Sequence, residues 1–227
     1  MLSVIPVIGI GGGKRTEITQ PVAVSAHQKA THLTPSIASQ PDEALVALAR
    51  QGDERAFRGL VERYESTVAA TVIGMLGPGP EADDVGQETF IRFYRALHQF
   101  RGESSVGTYL TRIAINLSLN ALKRRKRWRL RFLSRDEQVP FLREPAVDGR
   151  RPIEDGIDGA VIQQALHTLT PPFRSVVVLR LIEGYSTRET AEILGIPIGT
   201  VLSRLARAQR TLRGVLAPCF KDTGRGS

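Results

Sequence analysis

The chain has 227 residues, 41% of them hydrophobic and 24% charged, which places it among ordinary globular proteins and excludes wholesale disorder. Its 31 Lys and Arg against 23 Asp and Glu give a formal net charge of +8, so the folded surface attracts polyanions, and nucleic acid and anionic membrane are both candidate partners. The single cysteine, Cys219, has no disulfide partner and no companion zinc ligand, which predicts an inert thiol, no metal and no cofactor.

Residues 1–40 carry Gly11-Gly12-Gly13 and scattered Thr, Ser, Gln and Pro without a sustained period, and read as a flexible extension. Their apolar start lacks a basic region before it and is broken by Pro6 and Gly9, so it is not read as a signal peptide. No apolar run elsewhere is long enough for a bilayer, which predicts no membrane insertion and a cytoplasmic protein.

From Pro41 onward Leu45, Leu48, Phe57, Leu60, Val61, Tyr64, Val68, Val72 and Met75 recur every three or four residues, interrupted at Gly52, and predict a helix pair or one bent helix. Gly77-Pro78-Gly79-Pro80 breaks that pattern, and Glu81, Asp83 and Asp84 follow where acids favour a helix N-terminus. On this next helix Phe90, Phe93, Tyr94 and Leu97 should face a core, with Asp84, Glu88, Ile91 and Arg95 opposite.

After a loop at residues 99–104, a further helix turns Leu110, Ile113, Ala114, Leu117 and Ala121 inward and Arg112, Asn116, Leu119 and Lys123 outward. It ends in a run without acids: Lys123, Arg124, Arg125, Lys126, Arg127, Arg129, Arg131 and Arg135, interleaved with Trp128 and Phe132. A localisation signal or a membrane-surface helix would share that charge. Asn116 and Asn120 on the same outer face favour nucleic acid, because amides hydrogen-bond base edges whereas lipid headgroups need only charge.

Residues 134–156 are rich in Pro, Gly and charge and read as a linker between two small domains, 41–133 and 157–217, with a tail at 218–227. In the second domain Val161, Ile162, Ala165, Leu166 and Leu169 give one helix. Pro171-Pro172 opens another through Val176, Val177, Leu179, Leu181 and Ile182, which Gly184 ends. The β-branched run at residues 176–178 suits a strand, but proline before it and glycine after it suit a buried helix better, so the fold class is all-α.

The segment 186–212 reads as a helix-turn-helix: Ser186 or Thr187 caps a short helix, Ala191 allows a close helix crossing, Gly195 takes the turn, and Pro197 starts the next helix. Val201, Leu205, Ala208 and Leu212 form its inward stripe. Ser203, Ala206, Arg207 and Arg210 lie opposite, with Leu202 and Arg204 on the flanks and no acid between Glu192 and Asp222, a face suited to the major groove of DNA.

The motifs Ala82-Asp83-Asp84-Val85-Gly86-Gln87-Glu88-Thr89-Phe90, Phe100-Arg101-Gly102-Glu103-Ser104-Ser105, Ile113-Ala114-Ile115-Asn116 and Gly199-Thr200-Val201-Leu202-Ser203-Arg204-Leu205 occur in that order. Together they resemble the extracytoplasmic-function group of bacterial sigma factors, over about residues 42–216. The resemblance implies a non-catalytic promoter-specificity subunit that binds core RNA polymerase and promoter DNA, is held by an anti-sigma factor, and serves a stress or envelope regulon. It implies that Asp84, Gln87, Glu88 and Ile91 meet the clamp helices of the largest polymerase subunit. Asn116 matches the position beside a base extruded from the melted strand, with Arg112, Asn120, Lys123 and Arg124 nearby. Tyr109 stands where the family commonly has tryptophan, but a core aromatic is the reading preferred for it. Ser203, Ala206 and Arg207 match base-facing positions of the upstream element, and Thr200, Arg204 and Arg210 suit phosphates. The sequence departs from the pattern at Leu202, often basic, at Gly86, usually a larger apolar residue, and at Val106-Gly107, usually an aromatic-containing pair.

Two other classes compete. A transcription activator could carry the same helix-turn-helix, but leaves the first domain unexplained, and no strand pattern supports a receiver domain. A DNA-acting enzyme with Asp83, Asp84 and Glu88 as metal ligands suffers because adjacent acids at a helix start diverge and no nucleophile joins them.

Overall fold

Asp42 and Glu43 open α1 (Asp42–Arg50), placing acids where the helix N-terminus is electropositive. Asp53 then caps α2 (Glu54–Leu76) by accepting from the Arg55 and Ala56 N–H groups, and those bonds, the Arg55 backbone first, hold its carboxyl below the usual range. The expected helix pair is therefore the one formed. The computed structural model describes residues 39–133 and 159–222, with side chains as far as residue 217. The extension at 1–38, the linker at 134–156 and the Cys219 thiol lie outside that description.

Gly77, with φ at 82°, ends α2, and Pro80 occupies the first position of α3 (Pro80–Ala96), which closes through a 3₁₀ turn, Leu97–Gln99. Arg50 clamps that turn by donating to the Leu97 carbonyl at 2.9 Å and to the Phe100 carbonyl. The long helix α4 (Val106–Leu133) packs on α2 and α3. Asp42 joins α1 to α2 by accepting from Arg63 and from the Tyr64 hydroxyl, whose proton is held more tightly because of burial and then this bond.

Phe93, Leu97, Leu110, Ala114 and Ala121 are buried as the periodicity predicts. Tyr94 is a correction: it is 51% exposed, because its ring lies at the margin of the core, edge-on to Phe57 at 4.9 Å. Leu119 also departs from its outward assignment and packs on the core, while Ile115, outside the predicted stripe, is fully buried. The cause is that α4 has neighbours on more than one side, α7 as well as α2 and α3, so one 3.6-residue stripe understates what it buries.

The second half begins with α5 (Gly159–Thr168) and α6 (Pro171–Val177), which continues as a π-helical turn, Val178–Ile182. The β-branched run is helical, as expected, and Val176, Val177 and Val178 are buried. Leu181 and Ile182, from the same apolar run, are instead exposed.

The two halves share a seam. Val178 and Leu179 join the core of the first half, and a Cβ at Gly74 would lie 2.9 Å from the Val178 Cγ2, so only glycine lets α2 and the π turn approach this closely. Arg174 is buried, and its guanidinium donates to the Met75 carbonyl of α2 at 2.6 Å and to those of His167 and Leu169 at 3.0 and 3.2 Å. The Tyr185 and Thr111 hydroxyls are bonded at 2.9 Å.

Burial pushes the Glu183 carboxyl up. The folded chain then holds this proton more tightly than the unfolded chain, so its contribution to stability is present at low pH and lost as pH rises through the raised value. Glu183→Gln should therefore unfold at a higher temperature than the wild type at about pH 7 and alike at about pH 4. Melting curves at the two pH values test this, and equal curves at both would show that the carboxyl is adequately solvated.

Candidate nucleic-acid interface

The helix-turn-helix forms as its residues require. Ser186 caps α7 (Thr187–Leu194) in a reciprocal box with Glu189: the Ser186 side chain accepts from the Glu189 N–H, and the Glu189 carboxylate accepts from the Ser186 N–H at 2.8 Å. The bond to the Ser186 side chain, with that to its backbone, also holds the Glu189 carboxyl below its ordinary range. Gly195, left-handed at φ 63°, terminates the helix, and the Pro197 carbonyl accepts from Thr200 and Val201 at the start of α8 (Ile198–Asp222). Pro197 thus stands one residue before the helix.

Val201 and Ala208 are fully buried, with Leu205 and Leu212 packed beside them, which fixes the rotation of α8. Ser203, Ala206, Arg207 and Arg210 consequently face solvent, whereas Thr200 and Arg204 are half-buried on the flanks. The Ser203 hydroxyl donates to the Thr200 carbonyl at 3.1 Å. Leu202 is 52% exposed on the same surface, an apolar side chain presented where a basic one is common in the family it resembles.

A second surface lies on α4 and the loop before it. Asn116, Asn120, Lys123 and Arg124 are exposed on α4, and since Lys123 and Arg124 lie three and four residues beyond Asn120, they flank one continuous track. Arg112 is set deeper: it is half-buried, its Nε has no hydrogen-bond partner, and it lines a cleft of about 490 Å³ with Gln99, Phe100, Ser104 and Tyr109. Tyr109 does both things weighed for it, since its ring packs edge-on to Phe100 at 5.1 Å and also lines the cleft. Gly107 has its own reason, because a Cβ there would meet the Tyr64 ring of α2 at 2.9 Å.

The third surface is the outer face of α3. Asp84, Gln87 and Ile91 are exposed, Ile91 at 44%, and Glu88 is partly so, held by Arg92 at 2.8 Å. Glu81 proves to have a role that the sequence pattern does not show: it pairs with Arg124 at 3.0 Å and with Arg125, tying the start of α3 to the basic end of α4. Glu192 of α7 likewise has a place that the sequence pattern does not show, lining the Arg112 cleft. Neither is legible locally, since both depend on residues far away in sequence. Among the described residues no group of three or more His, Cys, Asp or Glu is placed to hold a metal ion, and no helix is long and apolar enough to cross a membrane.

A helix-turn-helix with a basic outer face, a second basic helix bordering a cleft with two aromatic residues, and an additional acidic face are surfaces of the kind that nucleic-acid-binding proteins carry. Comparison with known proteins gives the family. Residues 60–128 match the model for sigma-70 region 2 and residues 160–212 that for sigma-70 region 4. The RNA polymerase sigma-H factor of Pseudomonas aeruginosa is 33% identical over 195 residues, covering 82% of this chain and 99% of its own. The ECF RNA polymerase sigma-E factor of Haemophilus influenzae is 33% identical over 182 residues, covering 78% and 96%. Among solved structures, CnrH in complex with the cytosolic domain of CnrY matches with a TM-score of 0.57 at 27% identity, over 78% of this chain and 97% of that one. RpoE with the anti-sigma factor NepR from Bartonella quintana shares the fold at a TM-score of 0.61 and 22% identity, over 71% and 96%. The chain belongs to the extracytoplasmic-function group of RNA polymerase sigma factors.

Proposed function

We propose that this sigma factor docks on core RNA polymerase through Asp84, Gln87, Glu88 and Ile91 of α3, opens and reads the downstream promoter element along α4, and reads the upstream element with α8. The observation that carries this reading is that three chemically distinct surfaces, one acidic and two basic, sit on separate faces of one helical scaffold.

On α4 the work is to offset the cost of unstacking. An extruded base beside Asn116 meets an amide able to bond its edge, and the Arg112 cleft with Tyr109 offers cation and ring for neighbouring bases, each stacked base being worth roughly 1–3 kcal/mol. Asn120, Lys123 and Arg124 then follow the strand. On α8, Arg207 and Ser203 are placed for base edges, with Ala206 allowing close approach, while Thr200, Arg204 and Arg210 are placed for phosphates.

No catalytic step falls to the chain in this reading; chemistry belongs to the polymerase. The site of action is cytoplasmic, where the polymerase works, and the inducing condition is an envelope or other stress. An anti-sigma factor is the expected regulator, in keeping with CnrH, which is held by the cytosolic domain of CnrY.

The reading separates two arginines on one helix. Arg207→Ala should flatten the preference at one or two bases of the upstream element by about 1–3 kcal/mol, whereas Arg210→Ala should weaken binding evenly across sequences and reduce the salt slope by about one. Titration of the polymerase holoenzyme with a panel of single-base promoter variants at several salt concentrations measures both. Identical behaviour of the two variants would mean that the face assigned to bases is wrong.

A further inference from the structure

The first turns of α8 carry an apolar ridge on their outside. Ile198, Leu202 and Ala206 stand four residues apart and are all exposed, Ile198 at 49% and Leu202 at 52%, so they stack along one side of the helix. They are not spare core residues. Val201 and Ala208 are fully buried with Leu205 and Leu212 packed beside them, and that stripe already fills the inward side of α8. One exposed leucine is ordinary, but aligned apolar side chains on the outer surface of a helix mark a place of contact.

The surroundings of the ridge say what it contacts. Ser203, Arg207 and Arg210 border it and Gln209 and Arg213 follow it, all exposed, and no acid occurs between Glu192 and Asp222. That charge suits a polyanion. In the major groove of DNA the edges of guanine, cytosine and adenine offer only hydrogen-bond donors and acceptors, which a leucine cannot answer, whereas thymine adds an apolar group, its C5 methyl. A leucine against guanine or cytosine strips water from the base edge and returns no bond. Against thymine it takes a methyl group out of water. One side chain thus favours one base and penalises others.

We infer that Leu202, with Ala206 one turn further on, reads the C5 methyl of a thymine in the upstream promoter element, beside the base pairs assigned to Ser203 and Arg207. This rests on the reading of α8 as the upstream reader and gives it a base identity at the position where the family often carries a basic side chain.

The test uses polymerase holoenzyme formed with the full-length protein, and a pool of duplexes randomised over the upstream element. In the duplex that wild type selects, each thymine is replaced singly by uracil, which removes only the methyl group, and binding is titrated for wild type and Leu202→Ala. Wild type should bind about three- to fivefold more weakly when one particular thymine is replaced, the value of one methyl buried from water. Leu202→Ala should melt as wild type does, because the side chain is exposed, and should lose most of that discrimination. In a selection of its own, Leu202→Arg should no longer favour thymine at that pair. If no uracil substitution weakens wild-type binding, the inference is overturned. It is also overturned if Leu202→Ala keeps the full uracil penalty, which would assign the methyl to another residue, or if Leu202→Ala binds DNA normally and core polymerase weakly, which would make the ridge a protein contact. A wild-type pool with no shared upstream element is a different result and sinks the reading of α8 itself.

Discussion

Asp84→Lys combined with Ile91→Ala is expected to weaken binding to core polymerase by about a hundredfold, with no change in thermal unfolding beyond about 0.5 kcal/mol. Both side chains are exposed on the outer face of α3, and Asp84 makes no ion pair among the described residues, so neither substitution disturbs the packing beneath. In a complex the position is different. Ile91 is the apolar centre of an otherwise polar face, the kind of residue on which a small number of contacts concentrate binding energy, and a lysine at 84 reverses the sign of the field met by a basic partner. Co-elution with core polymerase and a binding titration give the fold-change. A double variant that remains folded and binds normally would move the polymerase contact to another surface.

The largest effect on stability is expected from Arg174→Ala, at about 2–5 kcal/mol. This guanidinium is buried where α6 meets α2, and its truncation leaves the carbonyls of Met75, His167 and Leu169 without the bonds it supplies, as well as opening a cavity. Arg174→Lys should recover only part of the loss, because an ammonium is a point donor that cannot reproduce the planar fork reaching three separate oxygens. Denaturant unfolding of the three proteins decides it. A loss below about 1 kcal/mol for the alanine variant would mean that water replaces the guanidinium without difficulty and that the seam is held by Val178 on Gly74 instead.

Much of the scaffold is legible in the sequence because its signals are local. Asp53, Ser186 with Glu189, Gly195 and the prolines at 80 and 171 act within one helical turn, so helix ends can be read from neighbouring residues alone. The rotation of α8 follows from Val201 and Ala208, and with it the exposure of Arg207 and Arg210. What escapes the sequence depends on contacts between distant elements. Tyr94 satisfies the spacing of a core residue yet sits at the margin, and Ile115 breaks the stripe because α4 is covered on several sides. Arg174 is a charge that no local pattern marks as buried, and only the carbonyl ends of α2 and α5 beside it explain its burial. Glu81 looks like a residue placed for the helix dipole, whereas its partners Arg124 and Arg125 lie on another helix. The departures from the family pattern divide in the same way: Gly107 is explained by the Tyr64 ring, whereas nothing in the packing of the chain explains Gly86 or Leu202.

In the proposed function these three surfaces act together in promoter-specific initiation. Purified full-length protein is combined with core RNA polymerase and a pool of promoter fragments randomised upstream of a fixed template, and run-off transcripts are sequenced. Transcripts are expected that require both proteins and share an upstream and a downstream element. In the same pool Arg207→Ala relaxes the upstream element, and Asn116→Ala lowers the yield of open complex without loss of core binding. Transcripts with no shared elements, or no initiation by a protein that fails to bind core polymerase, would contradict it.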